Sequence, residues 1–261
     1  MKEDSLANSP LGKIIEPPNN YDKNVLVAIK RNQNSNHKTY GCDRWTAYEL
    51  SWLNKNGIPQ IRICEIVYEA LSPYIIESKS LKLYLNAFNN THYSSEESVL
   101  KTIQRDLKEK IQSNVNVTCN TPQTTLSNNY ERMVLIEDSL TEVHQFKSFE
   151  FSDHNIDETL YTHVYRSLCP VTSQPDFATL FISYSGKQIN KQSLFNYLIS
   201  SRNKNNFHED CINQIFNDLL NTQSIKELTI QGSFLRRGGI DITPIRSTRK
   251  HYQTIPTLYQ Q

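Results

Sequence analysis

A surplus of charge of either sign is the first thing this sequence lacks. Its 28 Lys and Arg stand against 27 Asp and Glu, a formal net charge of +1 with a pI near 7.6. That balance argues against a protein that works by electrostatic attraction to nucleic acid or to a membrane surface. Long apolar runs are missing too. The longest clear one, Val25 to Ile29, falls far short of the roughly 20 residues a helix needs to cross a bilayer. The start, Met1-Lys2-Glu3-Asp4-Ser5, is charged and has no apolar segment of the signal-peptide kind. The cysteines at 42, 64, 119, 169 and 211 form an odd, scattered set without a CxxC pair, so a reduced, cytoplasmic protein fits best. No GxGxxG occurs, which argues against a Rossmann domain.

What is present is enough for a sizeable core. At 261 residues the chain forms one large domain or two small ones. Only 37% of it is hydrophobic, and 14 Tyr and 10 Phe supply much of the burial. Residues 1–40 read as an N-terminal arm, irregular over the proline-bearing first 24. Strands are expected from Trp45 to Leu53 and, by alternation, from Ile61 to Tyr68. Leu81, Tyr84, Leu85 and Phe88 then share one helical face. A second helix starts at a capping box, Ser94-x-x-Glu97, and continues through Val99, Leu100, Ile103, Leu107 and Ile111. Val115 to Cys119 returns to strand, and 120–130 reads as a turn or connector.

The pattern then recurs: a strand at 177–184, a helix with Leu194, Tyr197 and Leu198, another with Ile212, Ile215, Phe216 and Leu219, and closing strands at 228–231 and 240–242. Sliding the chain by 113 residues lays Ser80, Leu81, Tyr84, Leu85, Asn90, Glu96 and Leu107 on Ser193, Leu194, Tyr197, Leu198, Asn203, Glu209 and Leu220 without a gap. Two copies of a strand-strand-helix-helix-strand-strand unit are implied, over 41–135 and 136–261. Their chemistry is unequal. Cys169 and Asp176 fall on Asn56 and Ile63, and His208 on Ser95. One composite site drawing on both halves is the expectation.

The stretch Ser167 to Phe177 is central to that inequality. A lone cysteine precedes an aspartate by seven residues, with a proline beside each, and the prolines mark the segment as a shaped loop. By itself Cys169 is more often a small buried hydrophobe than a nucleophile, and Asp176 alone reads as a turn cap.

Four separated motifs then fit one family. Ile76 to Tyr84, Cys169 to Phe177, Phe207-His208-Glu209 and Arg236-Arg237-Gly238-Gly239 resemble the NADPH-dependent 7-cyano-7-deazaguanine reductases of queuosine biosynthesis, a tRNA-modification pathway. Their order is similar to that of the long, two-module type. The resemblance implies an α+β tunnelling fold (T-fold), with ββααββ units assembling antiparallel sheets and helices on the outer face. It implies four-electron reduction of a nitrile to an amine with two NADPH and no metal. A homodimer is expected as well, and the charge balance speaks against a direct nucleic-acid or membrane partner. Cys169 would be the nucleophile, Asp176 its proton partner, and His208 a second proton source. Ile76, Glu77, Ser78, His208 and Glu209 would bind substrate; Ser78, Lys79, Arg237 and Gly238 would bind the cofactor. Two alternatives remain at this point. One is a zinc-dependent T-fold hydrolase of a purine or pterin, with Cys169, His208 and Cys211 as ligands. The other is a non-catalytic purine-binding module.

Overall fold

The computed structural model describes residues 18, 20–31, 37–120, 133–140 and 142–256. Most of the expected arm, and the connector from 121 onward, lie outside the described residues. Contacts divide the chain into two units. The first comprises Met1–Gln33, Arg44–Thr125 and Arg236–Asp241; the second comprises Asn34–Asp43, Leu126–Leu235 and Ile242–Gln261.

In the first unit, β1 (Ala28–Lys30) pairs with β4 (Tyr74–Ile76) as a small separate ladder. The larger sheet runs β5 (Val115–Asn120), β3 (Pro59–Glu69), β2 (Tyr40–Leu53). Between β4 and β5 come α1 (Ser78–Asn86) and α2 (Glu96–Ile111). Both helices are amphipathic as expected, burying Leu81, Tyr84 and Leu85 from α1 and Val99, Ile103, Leu107 and Ile111 from α2. The capping box is displaced by one residue from Ser94/Glu97. Ser95, extended at φ −159°, accepts from the Ser98 amide, and the Ser98 hydroxyl faces back. Glu97 is left on the exposed side, paired with Lys101 at 2.7 Å.

The second unit is a ββααββ unit: β7 (Phe151–Leu168), β8 (Pro175–Ile189), α3 (Lys191–Ser200), α4 (His208–Asn221), β9 (Ile225–Phe234) and β10 (Ile240–Ser247). The sheet order is β10-β9-β8-β7-β6, antiparallel except for the two-residue parallel pairing of β6 (Val134–Leu135) with β7. One face of β8 and β9 presents Ala178, Leu180, Ile182, Leu228, Ile230 and Phe234 to Leu194, Leu198, Ile212, Ile215, Phe216 and Leu219 of the helices. Each Leu, Ile or Phe among them contributes about 1.5–3 kcal/mol by leaving water. Two expectations change here. Asp176 is not in the loop: β8 already begins at Pro175, because proline is tolerated as the first residue of a strand, and Asp176 stands opposite Ser167. The long strand β7 also escapes pattern reading, since register shifts between Phe151 and Asn155 and between Thr162 and Tyr165 break its alternation.

The duplication is present but not gapless. Tyr84 donates to buried Asp106 at 2.8 Å across 22 residues, whereas Tyr197 donates to Asp218 across 21. Leu53 bonds to Thr91 and Tyr93, and Leu168 bonds in the same way to Lys204 and Asn206. Counting from these shared bonds, the five-residue loop 54–58 corresponds to the six-residue loop 169–174. Cys169 therefore corresponds to Asn54 rather than Asn56. Asp176, following Pro175, corresponds to Gln60, following Pro59. His208, which opens α4, corresponds to Glu96, which opens α2, and Glu209 to Glu97. A fixed shift misses these pairs because insertions fall in the loops, where they disturb packing least.

Candidate active site

Cys169 sits half-buried on the β7–β8 hairpin. Its amide donates to the Gln174 carbonyl at 2.9 Å, and its own carbonyl accepts from the Ser173 amide at 3.0 Å. Ser173 has φ 53°, the left-handed region that non-glycine residues occupy sparingly and at some cost. The Asn205 side-chain amide donates to the Ser173 hydroxyl at 3.2 Å and reaches the Cys169 carbonyl at 3.5 Å. The Leu168–Asn205 bridge ties the same loop to the segment entering α4. The thiol is thus held on a loop fixed at both ends and from the side.

Asp176 and His208 come together beside that hairpin. His208 Nε2 lies 3.2 Å from Asp176 Oδ2, with the side chains 16% and 6% exposed. The imidazole also lies flat on Phe234, ring centres 4.0 Å apart and planes within 22°. Glu209 follows in the first turn of α4 and is buried. A carboxylate there faces the positive end of the helix dipole, which offsets part of its desolvation.

Cys211, one turn into α4, is also buried, and burial pushes its thiol up to about 11. Neighbouring Asp210 and Glu209 act in the same direction, against hydrogen bonding from Tyr165 and Ser167. Among the described residues no three His, Cys, Asp or Glu side chains gather as a metal-ligating set.

The first unit gathers the remaining candidates in two places. Glu77 is the N-cap of α1, accepting from the Lys79 and Ser80 amides at 2.7 and 2.8 Å with one oxygen each. Ile76 is buried opposite Ala28, and Ser78 and Lys79 begin the helix. The Arg236–Gly239 motif is the turn that precedes β10. Gly238 and Gly239 have φ 57° and 75°, the two successive positive values that a primed hairpin turn demands. A Cβ at Gly238 would come within 2.9 Å of Lys82 Nζ, and one at Gly239 within 2.7 Å of the Glu49 carboxyl. Arg236 stacks over Tyr48 at 4.5 Å, and the Tyr48 hydroxyl donates to Asp241 at 2.6 Å. Burial and Asp241 push the Tyr48 hydroxyl upward, and burial raises the Asp241 carboxyl.

Pattern reading missed Lys82, Asn205 and Phe234. Lys82 reads as a solvated helix position and Phe234 as one more core residue; their partners become visible only in three dimensions.

The second unit has the full ββααββ order. The first, among the described residues, has the same order through a single strand after its helices, an architecture compatible with a T-fold protein. Residues 18–119 match the family described as "Nitrile reductase, 7-cyano-7-deazaguanine-reductase N-term", and residues 175–253 match "QueF-like protein". The chain belongs to the nitrile reductase family of the queuosine pathway, in its two-module form, and is an oxidoreductase. Asp176, His208, Glu209 and the Arg236–Gly239 turn fall inside the second match; Cys169 falls in the interval between the two. Among the described residues no helix is long and apolar enough to cross a membrane.

Proposed function

We propose that the protein reduces the nitrile of 7-cyano-7-deazaguanine to the aminomethyl group, with Cys169 as the covalent nucleophile. The observation that supports this best is the Asp176–His208 pair, at 3.2 Å, beside the hairpin that carries the thiol. A nitrile carbon resists direct hydride attack, and thiol addition turns it into a more electrophilic thioimide. In that step the Cys169 sulfur bonds to the nitrile carbon, one C–N π pair moves to nitrogen, and nitrogen receives the proton that leaves the thiol. Asp176 relays this proton, and His208 holds the carboxylate in place through Nε2 and serves as the second proton source. General acid–base groups of this kind contribute about 10²–10⁴-fold. Glu209 accepts from the ring N–H and exocyclic amine of the purine-like edge, a charge-assisted pairing.

NADPH supplies the two hydrides of the four-electron reduction. The chemistry of the residues suits an anionic cofactor at the Gly238 turn, where the missing Cβ lets the Lys82 ammonium pack against the backbone. Lys79 and Lys82 near the start of α1, with Arg236 and Arg237 on the turn, would meet its phosphates. Glu77 keeps that helix start in shape through its two cap bonds.

The test is to mix purified protein with 7-cyano-7-deazaguanine and NADPH and follow cofactor absorbance with EDTA present. Consumption of two NADPH per nitrile supports the proposal. Absence of oxidation, or loss of activity on chelation, overturns it in favour of a binding module or a zinc hydrolase.

A further inference from the structure

We infer that Phe234 is a positioning residue that sets the plane of the His208 imidazole, so that Nε2 meets Asp176. This rests on reading His208 and Asp176 as the proton-handling pair. The 3.2 Å separation between them is at the long end for a hydrogen bond. Rotation of an imidazole about its last torsion is soft, so that contact alone leaves the ring loosely oriented. Nor does the helix start supply a constraint, because the N-cap residue Phe207 makes no side-chain cap bond.

The sheet beneath provides the missing restraint. Phe234 ends β9 opposite Ala178 of β8, two residues from Asp176 on the same face. Aromatic ring and carboxylate are therefore diagonal cross-strand neighbours, close enough for one side chain to span both. His208 settles over them with its ring face on Phe234 and its Nε2 at Asp176. Phe234 is itself fixed. It is 1% exposed, Tyr165 meets it edge-on at 6.3 Å, and the next residue, Leu235, bonds to the Phe177 carbonyl at 2.9 Å. Position 232 is glycine for space: a Cβ there would lie 3.2 Å from the Phe234 ring and 2.5 Å from Ile212 Cδ1. The aromatic platform is thus built with its own clearance, and the imidazole inherits its plane.

The experiment compares wild type, Phe234→Leu and Phe234→Tyr as full chains. With 15N-labelled histidine, the NMR signal of His208, assigned by its loss in His208→Gln, reports which ring nitrogen holds the proton. A ring facing a carboxylate through Nε2 carries it there. Wild type and Phe234→Tyr are expected to show the Nε2–H form, and Phe234→Leu a mixture with Nδ1–H. In turnover with the nitrile and NADPH, Phe234→Leu is expected to lose on the order of tenfold in kcat with KM within about twofold, as for a displaced proton-transfer group. Phe234→Tyr should recover most of that loss. Phe234→Met, which fills volume without a flat ring, replaces the leucine variant if that one does not fold. A leucine or methionine variant with wild-type tautomer and kcat, lowered only in Tm, would reduce Phe234 to packing and overturn the inference. So would a changed tautomer with unchanged kcat. If wild type itself turns over no nitrile, the reductase proposal fails while the tautomer comparison still decides whether Phe234 orients His208.

Discussion

The β2–β3 hairpin of the first unit and the β7–β8 hairpin of the second share a backbone frame and differ in chemistry. Asn54 and Cys169 each donate to the carbonyl that closes the loop, Ile58 at 3.0 Å and Gln174 at 2.9 Å. The carbonyls of Asn54 and Cys169 themselves accept from an amide at positive φ, Gly57 at 74° and Ser173 at 53°. Each also faces a side chain from the strand-like segment alongside, His92 at 3.0 Å and Asn205 at 3.5 Å. The residue that opens the second helix reaches the neighbouring strand in both units, Glu96 to Arg62 at 2.7 Å and His208 to Asp176 at 3.2 Å. The first unit therefore displays the scaffold without the thiol or the acid. Three positions, 54/169, 60/176 and 96/208, differ in side-chain chemistry while the loop-closing hydrogen bonds are shared.

The largest break in that comparison should come from the thiol. Mixing the nitrile with wild type in the absence of NADPH is expected to add one whole substrate mass to Cys169, since nothing leaves. Cys169→Ala should abolish the adduct and the turnover, and intact-mass spectrometry reads both. An adduct that persists in the alanine variant would remove Cys169 from the mechanism.

Next comes the acid. Asp176→Asn keeps the shape and cannot relay a proton, so turnover should fall by about 10²–10⁴-fold with folding intact by circular dichroism. Gln60→Ala, at the corresponding place in the first unit, should change turnover by less than about twofold on the same reasoning.

The glutamates sharpen the contrast further. Glu209 is 3% exposed, whereas the Glu97 side chain is 73% exposed and pairs with Lys101. With substrate bound, Glu209→Ala would leave two donors unmatched at roughly 1–3 kcal/mol each, weakening nitrile affinity by about tenfold to several hundredfold. Glu97→Ala should leave it unchanged. Calorimetry in a Cys169→Ala background, where no covalent bond forms, measures both. Equal losses would mean that the two units bind alike.

Thiol reactivity gives a smaller, graded difference. The Cys211 thiol is pushed up to about 11 and Cys64 well above its usual value, the latter by Cys119 opposite it and by burial. A raised value means less thiolate at pH 8, so iodoacetamide should label Cys169 well before either, as peptide mapping would show. Labelling of Cys211 first would contradict the burial argument. The smallest effect belongs to the turns. A Cβ at Gly57 would meet nothing closer than His92 at 3.8 Å, so Gly57→Ala should lose only the left-handed strain, about 1 kcal/mol in a denaturant melt.

The repeated strand and helix order was legible because apolar spacing on four helices recurred. The T-fold class and the candidate site came through a resemblance carried by proline-flanked Cys169 and Asp176, His208 with Glu209, and the double-glycine turn. What escaped pattern reading depends on three-dimensional partners. Strand β7 hides behind two register shifts. The true helix cap, Ser95 with Ser98, is one residue from an equally plausible serine. The insertions that shift the repeat lie in loops, where composition carries little constraint. Phe234 resembles any core aromatic until His208 is seen on its face.

Neither structural unit is a contiguous piece of the gene product. The first takes in Arg236–Asp241 and the second takes in Asn34–Asp43. Tyr48 of the first unit bonds to the Gly239 carbonyl and the Asp241 carboxylate, groups translated almost two hundred residues after it. On the ribosome, where N-terminal domains generally fold first, this one cannot finish early. Its last contacts emerge only with the final strand, so the two halves must complete together, and a nascent chain stopped at residue 125 would hold a first unit still missing its turn.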